Sequence, residues 1–371
     1  MKNPGTATEN SRKFRCYICK EPNPVVHDHY TKLCRACGEY NEMKRTARHH
    51  LDNYIALVTG GRTKIGYHTA LRLLRDGARV ILTTRFPYDA LQRYIKEPDF
   101  DTWKDRIHIY GLDFRQIERV EMFAHYINKE FPYIDIIINN AAQTVRMSPE
   151  EYDGLMLKEA ELQKQLFGGQ GSPQLAGGAV LPRIANPINS ETADSPYLQL
   201  LNPERSLPAS SSQLQNSWTA ESQQISVVEM LEVQLINVTA PFLINTKLKD
   251  AMTRSPNPNR FIVNVSAAEG RFQMKRKGGY HVHTNMAKAS LNMMTLTMSK
   301  EYKKEHIFIT SVDPGWVSNQ FPEQVKARKV IELPLDFEDA AARICDPIYE
   351  GKDAERPWTG VFLKDYKQVD W

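Results

Sequence analysis

The chain has 371 residues, of which 41% are hydrophobic, and its formal net charge at pH 7 is +4. This length fits one large or two ordinary domains, and the apolar content is sufficient for a sizeable core. So small a net charge does not indicate nucleic-acid binding. The sequence contains no apolar run long enough to predict a membrane span, and its polar start lacks the apolar segment of a leader. We therefore expect a cytoplasmic protein, with the nucleus as the alternative compartment.

The amino-terminal region contains two cysteine pairs. Cys16 and Cys19 form one C-x2-C pair, and Cys34 and Cys37 form a second after 14 intervening residues. Two such pairs supply the four thiolates of a tetrahedral metal site, so they predict structural Zn²⁺ rather than redox cysteines. Four thiolates leave no coordination position open for catalysis. The remaining cysteine, Cys345, lies on a predicted helix and is interpreted as a core residue.

Residues 1–50 are therefore predicted to form a zinc-binding module that folds on its metal and packs on the rest of the chain. His27 and His29 are alternative ligands, although loop roles are favoured. A helix predicted at residues 35–48 makes the module similar to a treble-clef finger, a unit that often binds nucleic acid or protein. Its basic run, residues 44–50, either contacts phosphate or is a solvated helix end, and we favour the second.

The next segment has the pattern strand, glycine turn, helix, strand. The apolar run YIALVT is followed by GGRTKIG, an amphipathic helix and a second apolar run, ARVILTTR. This is the first βαβ unit of a nucleotide-binding sheet, in which backbone N–H groups at the helix start bind a pyrophosphate. Further apolar runs alternate with helical stretches. We predict a Rossmann-type α/β domain over residues 51–371, with a doubly wound parallel sheet and helices on both faces.

Six segments resemble, in the same order, motifs of the short-chain dehydrogenase/reductase family; they are TGGRTKIG, GLDF, IINNAA, LINVTAPF, FIVNVSAAEG and SVDPGWVSN. The resemblance extends over about residues 52 to 365. One departure is Lys64, which occupies the position of the middle glycine in the family's first loop. The resemblance implies that Asp113 contacts adenine and that the Pro-Gly turn caps the nicotinamide side.

The cofactor residues implied by the resemblance and by local charge are Gly60, Arg62, Lys64, Ile65, Gly66, Arg85, Asp113, Asn140, Ala141, Lys288, Pro314, Gly315 and Val317. The second strand ends in Thr84 and Arg85, where an acid would bind the ribose 2′-OH of NAD. A 2′-phosphate instead prefers a guanidinium. The sequence therefore favours NADP(H) over NAD(H), although Arg62 and Lys64 are equally compatible with solvated loop charges.

An insertion occupies about residues 146–226, where the family needs a much shorter connection. Residues 148–167 predict a helix leading into it, and residues 168–223 are rich in Gly, Pro, Ser, Gln and Asn. A lid, a partner-binding arm and an untethered loop all fit a segment of this kind. Trp218 is the expected anchor if any part of it docks.

The catalytic residues implied by the resemblance are Ser266 for the substrate oxygen, Asn237 for a relay water and Lys288 for the cofactor ribose. The alternative alignment shifts the serine position by one residue and puts Ala267 in the catalytic place. The position of the family's proton-donating tyrosine carries Thr284. Since an aliphatic alcohol is a far weaker acid than a phenol, a threonine cannot take over this role.

Three nearby side chains are candidates for the missing proton donor. Tyr280 lies one helical turn before Thr284, and the imidazoles of His281 and His283 titrate near neutral pH. Histidines at a helix start more often have structural roles. We predict Tyr280 or His283 as the donor.

The function predicted from the sequence is an NADP(H)-dependent oxidoreductase acting on a carbonyl, an alcohol or a conjugated double bond of an unknown small molecule. The alternative is a catalytically silent NADP(H)-binding scaffold or sensor that acts through the zinc module and the insertion. A nucleic-acid-linked role is the weakest interpretation. Homo-oligomers and a protein partner bound through the zinc module or the insertion are compatible with the sequence.

Overall fold

The computed structural model describes residues 15–22, 25–167, 183–185, 216–274, 277–328 and 331–371. Its strands are β1 (Ile55–Thr59), β2 (Arg79–Thr84), β3 (Ile107–Gly111), β4 (Ile136–Asn139), β5 (Arg183–Ala185), β6 (Arg260–Val265), β7 (Ile307–Asp313), β8 (Val361–Lys364) and β9 (Lys367–Val369). Within these described ranges they form one nine-stranded sheet, in the order β5-β3-β2-β1-β4-β6-β7-β8-β9. Every pair is parallel except β8 with β9.

The helices are α1 (Arg35–Thr46), α2 (Lys64–Arg75), α3 (Pro87–Ile95), α4 (Phe100–Trp103), α5 (Ile117–Glu130), α6 (Pro149–Phe167), α7 (Val227–Gln234), α8 (Ala240–Lys247), α9 (Lys249–Thr253), α10 (Val282–Tyr302), α11 (Glu323–Arg328) and α12 (Phe337–Gly351). One apolar cluster packs α2, α3 and α12 on one face of the sheet. A second cluster packs α5, α8 and the end of α10 on the other face. The predicted Rossmann-type fold is confirmed, since strands this apolar must be covered on both faces.

The strand order reverses direction between β1 and β4. The chain winds outward from β1 through β2 and β3, then returns to β4 and winds the other way. Loops after the two central strands separate at this point and leave a crevice at their carboxyl ends. The fold therefore places any nucleotide site beside Gly60 and Asn140, which directly follow β1 and β4.

A chain of buried polar side chains crosses the second half of the sheet. The Asn139 amide donates to Asn245 Oδ1 at 2.9 Å and to Asn264 Oδ1 at 2.8 Å. Asn264 in turn donates to Thr295 Oγ1 at 2.8 Å, and the hydroxyls of Thr295 and Ser311 lie 2.8 Å apart. These bonds join β4, β6 and β7 to the helices α8 and α10. Asn139 therefore fixes β4 to β6 and to α8.

The helical stretch Val227–Lys247 has a mean hydropathy of 1.5 and is long enough to cross a membrane. It comprises α7, a π-helical turn at Leu235–Thr239 and α8. In its apolar 18-residue window, 44% is buried inside the protein. The stretch also contains the fully buried amides Asn237 and Asn245. We interpret it as a helix that is partly packed on the sheet and partly exposed.

The described part of the amino-terminal module packs on α12, as expected. Tyr30 and Asn41 donate to the buried Asp339 carboxylate at 2.7 and 2.8 Å. Lys44 pairs with Asp346 at 2.7 Å, and Arg45 pairs with Asp336, Glu338 and Asp339 at 2.5 to 3.1 Å. The favoured interpretation of this basic run as a solvated helix end is therefore wrong for Lys44 and Arg45, because both side chains join two helices.

Asp339→Ala is expected to lower the free energy of unfolding by about 3–5 kcal/mol, since it leaves Arg45, Tyr30 and Asn41 without their buried acceptor. Chemical denaturation monitored by circular dichroism measures the change. The matched control is Glu338→Ala, whose exposed carboxylate also pairs with Arg45 at 2.5 Å and should be worth no more than about 1 kcal/mol. Equal losses in the two variants would contradict a buried anchor at Asp339.

Part of the insertion is described. The helix predicted at residues 148–167 is confirmed as α6. The short strand β5, which extends the sheet beyond β3, was not predicted, because three residues within a polar segment give no periodic signal. Residues 168–182 and 186–215 lie outside the described residues, and with them most of the segment for which a lid, an arm or a loop was weighed.

Candidate active site

A cleft of about 950 Å³ opens at the carboxyl ends of the central strands. It is lined by most of the predicted site residues, namely Gly60, Arg62, Lys64, Ile65, Gly66, Arg85, Asp113, Asn140, Ala141, Ser266, Thr284, Lys288, Pro314, Gly315 and Val317. Asn237, Tyr280 and His283 do not line it. The cleft continues from the start of α2 to the start of α10, so one elongated ligand can reach both ends.

The loop between β1 and α2 has the backbone shape of a phosphate-binding turn. Gly60 has a φ of 69°, and its N–H donates to Thr83 O at 2.9 Å. A Cβ at Gly66 would lie 2.3 Å from Gly60 O and 2.4 Å from Asn140 Nδ2, so only glycine fits there. The first N–H groups of α2 have no intrahelical acceptor and are therefore available to bind an anion at this end of the cleft. This geometry fits a dinucleotide pyrophosphate.

Lys64 takes a left-handed conformation, with a φ of 54°. Such a conformation favours glycine, which explains why the family has glycine at this position. Lysine keeps the same turn at a local cost of about 1 kcal/mol. The departure noted in the sequence therefore adds a positive charge to the loop, while Lys64 keeps the left-handed conformation that glycine favours.

Asn140 connects the two loops at the crevice. Its side-chain amide donates to Thr59 O at 2.9 Å, while the N–H groups of Asn140 and Ala141 donate to Thr59 Oγ1 at 3.0 Å. The β4 loop is thus fixed to the β1 loop. This supports the two residues as a rigid floor for a nucleotide.

Arg85 is a cation that lines the cleft directly after β2. Its half-buried guanidinium lies 5.6 Å from the Phe86 ring centroid and 5.9 Å from that of Tyr152, and it forms no ion pair with any residue that the structure describes. Arg62, by contrast, pairs with Asp89 at 2.8 Å. Burial lowers the pKa of Arg85, although Asp113 partly opposes this. A bound phosphate would supply the missing counter-charge.

Sequence reasoning missed Arg115. This residue clamps Asp113 with a contact of 2.6 Å, and its guanidinium lies 5.6 Å from the Tyr152 ring centroid. The Asp113 carboxylate is thereby held at the cleft wall. Spacing alone gives a signal for this contact, since a basic residue two positions after an acid can close a short turn on it.

Lys288 lies at the opposite end of the cleft. Its ammonium is buried and donates to Val265 O at 2.7 Å. Burial lowers the pKa of Lys288 to about 8, although Glu269 and Asp313 partly oppose the shift. An ammonium with this pKa can give up a proton near neutral pH.

Thr284 lines the cleft one helical turn before Lys288. Its hydroxyl donates to His281 O at 2.9 Å. His281 has a φ of 43°, and its ring stacks on Trp218 at a centroid distance of 4.0 Å. Trp218 also lines the cleft, so the returning end of the insertion does dock beside the start of α10.

Two residues with implied catalytic roles have internal partners. The Ser266 hydroxyl donates to Asn292 Oδ1 at 2.7 Å, and Ala267 follows it along the cleft wall. Asn237 Oδ1 accepts from the Gln143 N–H at 2.8 Å, and its amide donates to Gln143 O at 3.1 Å. The catalytic roles of Ser266 and Asn237 therefore stay predictions.

Tyr280 and His283 lie off the cleft. Tyr280 is exposed, whereas His283 is fully buried with its Nε2 3.7 Å from Glu229 Oε1. Neither Tyr280→Phe nor His283→Gln should change turnover by more than about twofold, because neither group reaches the reacting atoms. Steady-state kinetics of the two variants tests this, and a loss of 100-fold or more would restore the predicted donor role.

Four ionisable side chains that sequence reasoning did not select line the cleft beside Lys288; they are Tyr17, Glu269, Asp313 and Lys364. Lys364 donates to Asp313 at 2.8 Å. Burial raises the pKa of Glu269, although a hydrogen bond from its own N–H partly opposes the shift. Their convergence depends on the meeting of distant segments, which no local pattern reveals.

The four cysteine thiols of the module lie within 4.8 Å of one another, so they could hold a metal ion. Burial raises the pKa of the Cys16 thiol, but N–H groups of Cys34, Cys19 and Ile18 outweigh it and lower that pKa to about 7. This favours a thiolate ligand. His27 Nδ1 accepts hydrogen bonds from the N–H groups of His29 and Tyr30, and these bonds hold the loop in place. Cys345 is buried in the core, as predicted.

Comparison with known proteins agrees with this architecture. The family described as short chain dehydrogenase matches residues 54–159 and 213–329. An uncharacterized protein of Acanthamoeba polyphaga mimivirus is 32% identical over 95% of this chain and 74% of its own length. The (+)-neomenthol dehydrogenase of Capsicum annuum is 25% identical, over 70% of this chain and 82% of its own.

Solved structures share the fold. A carbonyl reductase from chicken fatty liver, solved with NADPH bound, superposes with a TM-score of 0.57 and 17% identity over 86% of this chain and all of its own. The family match and the similarity to sequence relatives together identify the family. The chain belongs to the short-chain dehydrogenase family.

Proposed function

We propose that the protein is an NADP(H)-dependent oxidoreductase that transfers hydride to or from a carbonyl, an alcohol or a conjugated double bond. The observation that carries this proposal is the cleft itself, which joins a glycine-shaped phosphate turn to a buried lysine. The carbonyl reductase and the neomenthol dehydrogenase act, by their names, on carbonyl and alcohol groups. Their similarity supports the same reaction class here.

NADP(H) is the proposed cofactor in preference to NAD(H). Arg85, and to a lesser extent Lys64, offer positive charge to a 2′-phosphate, and the pyrophosphate would lie at the start of α2. The cofactor supplies the hydride when it is bound. The residues of the chain would orient the cofactor and donate or accept the proton.

Lys288 is the proposed proton source. It lies in the cleft, its pKa of about 8 is close to neutrality, and Thr284 beside it is too weak an acid. In reduction, the ammonium gives its proton to the substrate oxygen or carbon as hydride arrives. The side chains of Val145, Met147, Trp218, Trp316 and Phe321 line the cleft and favour an apolar substrate body.

The direct test is titration of the purified protein with NADPH and NADH, followed by turnover assays on a panel of apolar ketones and enones. Selective NADPH binding with turnover supports the proposal. Selective binding without turnover on any member of the panel would indicate the silent scaffold. No binding of either cofactor would contradict both.

We also propose structural Zn²⁺ on the four cysteines, a cytoplasmic location and a homodimer.

The proposed dimer rests on exposed apolar side chains on α7, α8 and α10, including Leu231, Phe242 and Met293, which a second copy would cover. Phe242→Asp and Met293→Asp should each shift the mass measured by light scattering from dimer to monomer. The control is Met122→Asp on α5, which should not; a wild-type monomer would contradict the proposal.

A further inference from the structure

The first cysteine pair borders the cleft directly. Tyr17 and Lys20, which lie beside Cys16 and Cys19, both contribute to the cleft wall. The module contacts the remainder of the protein in several places, and two of these contacts lie apart from each other. One is the ion-paired attachment of α1 to α12, and the other reaches the end of the cleft that holds Lys288 and Lys364.

The second contact holds the loop after β7, residues 314–317. The Trp316 N–H donates to the Tyr17 hydroxyl at 3.1 Å. The buried Val317 side chain packs with Cys16 and Cys34 in the module's own apolar cluster. On the loop's other side, the Gly315 N–H donates to Asp313 Oδ1 at 2.7 Å. The loop is thus clamped between β7 and the cysteine pair.

The turn that carries Tyr17 is joined to the second half of the module by the Tyr17 N–H, which donates to Lys32 O at 2.9 Å, and by the cluster of four sulfur atoms. Its backbone closes through the Lys20 N–H to Cys16 O at 3.1 Å, and Lys20 has a strained φ of 66°. A metal bound by all four sulfur atoms would fix the first cysteine pair to the second. Such a metal would therefore hold Tyr17 more firmly against the loop.

We infer that Tyr17 is a positioning residue of the cofactor site, and that metal binding by the four cysteines controls how tightly the nicotinamide half of the cofactor is held. This rests on the proposed NADP(H) function and on the resemblance, which assigns residues 314–317 to the nicotinamide side. The adenine half should not respond. Its contacts come from Gly60 at the end of β1 and from Arg85 at the end of β2, and these two strands are paired directly with each other in the sheet.

The experiment compares two ligands on the full-length protein. NADPH contacts both halves of the cleft, whereas 2′,5′-ADP contacts the adenine half alone. Tyr17→Phe keeps the ring but removes the acceptor for the Trp316 N–H. It should weaken NADPH about three- to tenfold, as expected for one hydrogen bond, and leave 2′,5′-ADP unchanged. The control is Tyr40→Phe, on the same module but outside the cleft.

Metal removal gives the larger effect. Chelation should weaken NADPH at least tenfold, to near the affinity of 2′,5′-ADP, and added Zn²⁺ should restore it. Unchanged NADPH affinity in both Tyr17→Phe and the chelated protein would overturn the inference. An equal loss for both ligands would also overturn it, because it would mean general unfolding. If the metal-loaded wild type binds neither ligand, the proposed function itself fails.

Discussion

Arg85→Ala is expected to weaken NADPH binding roughly 10²- to 10⁴-fold and to leave NADH binding unchanged. Arg85 has no acidic partner among the described residues, so its guanidinium is free to bind a 2′-phosphate through two charge-assisted hydrogen bonds. Each such bond contributes about 1.5–3 kcal/mol. NADH lacks the phosphate and so loses nothing. Calorimetric titration of both cofactors gives the two dissociation constants.

The matched control for Arg85 is Arg79→Ala. Both arginines belong to the β2 segment, but Arg79 is exposed at its amino end, away from the cleft. This variant should bind both cofactors like the wild type. Equal weakening of NADPH and NADH in Arg85→Ala would mean that Arg85 supports the loop and does not recognise the phosphate.

Lys288→Met is expected to lower the turnover number by a factor of about 10² to 10⁴, the range measured for removal of a general acid or base. The methionine keeps the length and the apolar stem of the side chain but has no proton to give. Pre-steady-state hydride transfer, followed by NADPH absorbance, measures the loss. Lys300→Met, at the exposed end of the same helix, should behave like the wild type.

Glu269→Gln distinguishes the two acids of the cleft. Because Lys288 is the proposed donor, Glu269→Gln should retain turnover within about tenfold. Loss of turnover in Glu269→Gln together with normal turnover in Lys288→Met would assign the proton to the carboxyl group. Loss in Lys288→Met alone supports the proposal.

The same lysine sets the expected pH dependence. Burial lowers the pKa of Lys288 to about 8, and reduction needs the protonated form. The reduction rate should therefore be level below pH 8 and fall about tenfold per pH unit above it. Oxidation of an alcohol needs the neutral amine and should show the opposite trend. A reduction profile that stays level through pH 10 would exclude Lys288 as the donor.

Local patterns in the sequence carried most of the fold. Buried strands, the glycine turn and the C-x2-C pairs each depend on a few neighbouring residues. The structure has these features where they were predicted. The positions of Gly60, Gly66 and Arg85 in the cleft could equally be predicted, because these residues come from one βαβ unit.

The catalytic end was harder to predict, because it is assembled from distant segments. Tyr17, Glu269 and Lys364 come from the first knuckle, a short turn after β6 and the penultimate strand. Tyr280 and His283 were close to Thr284 in sequence, but side chains on one helix point in different directions. His283 faces Glu229 instead of the cleft. Proximity along the chain therefore did not bring these two side chains into the cleft.

The buried amide chain of Asn139, Asn245 and Asn264 has a consequence for how this chain finds its fold. Asn139 precedes the insertion, whereas its partners follow 106 and 125 residues later. Apolar strands such as β4 and β6 would pair almost equally well one residue out of step, since both faces are covered. A shifted register would leave three amides buried without partners, at about 1–3 kcal/mol each. These asparagines therefore select the correct pairing register of β4 and β6. This selection allows the sheet to form although a long insertion separates the two strands in the sequence.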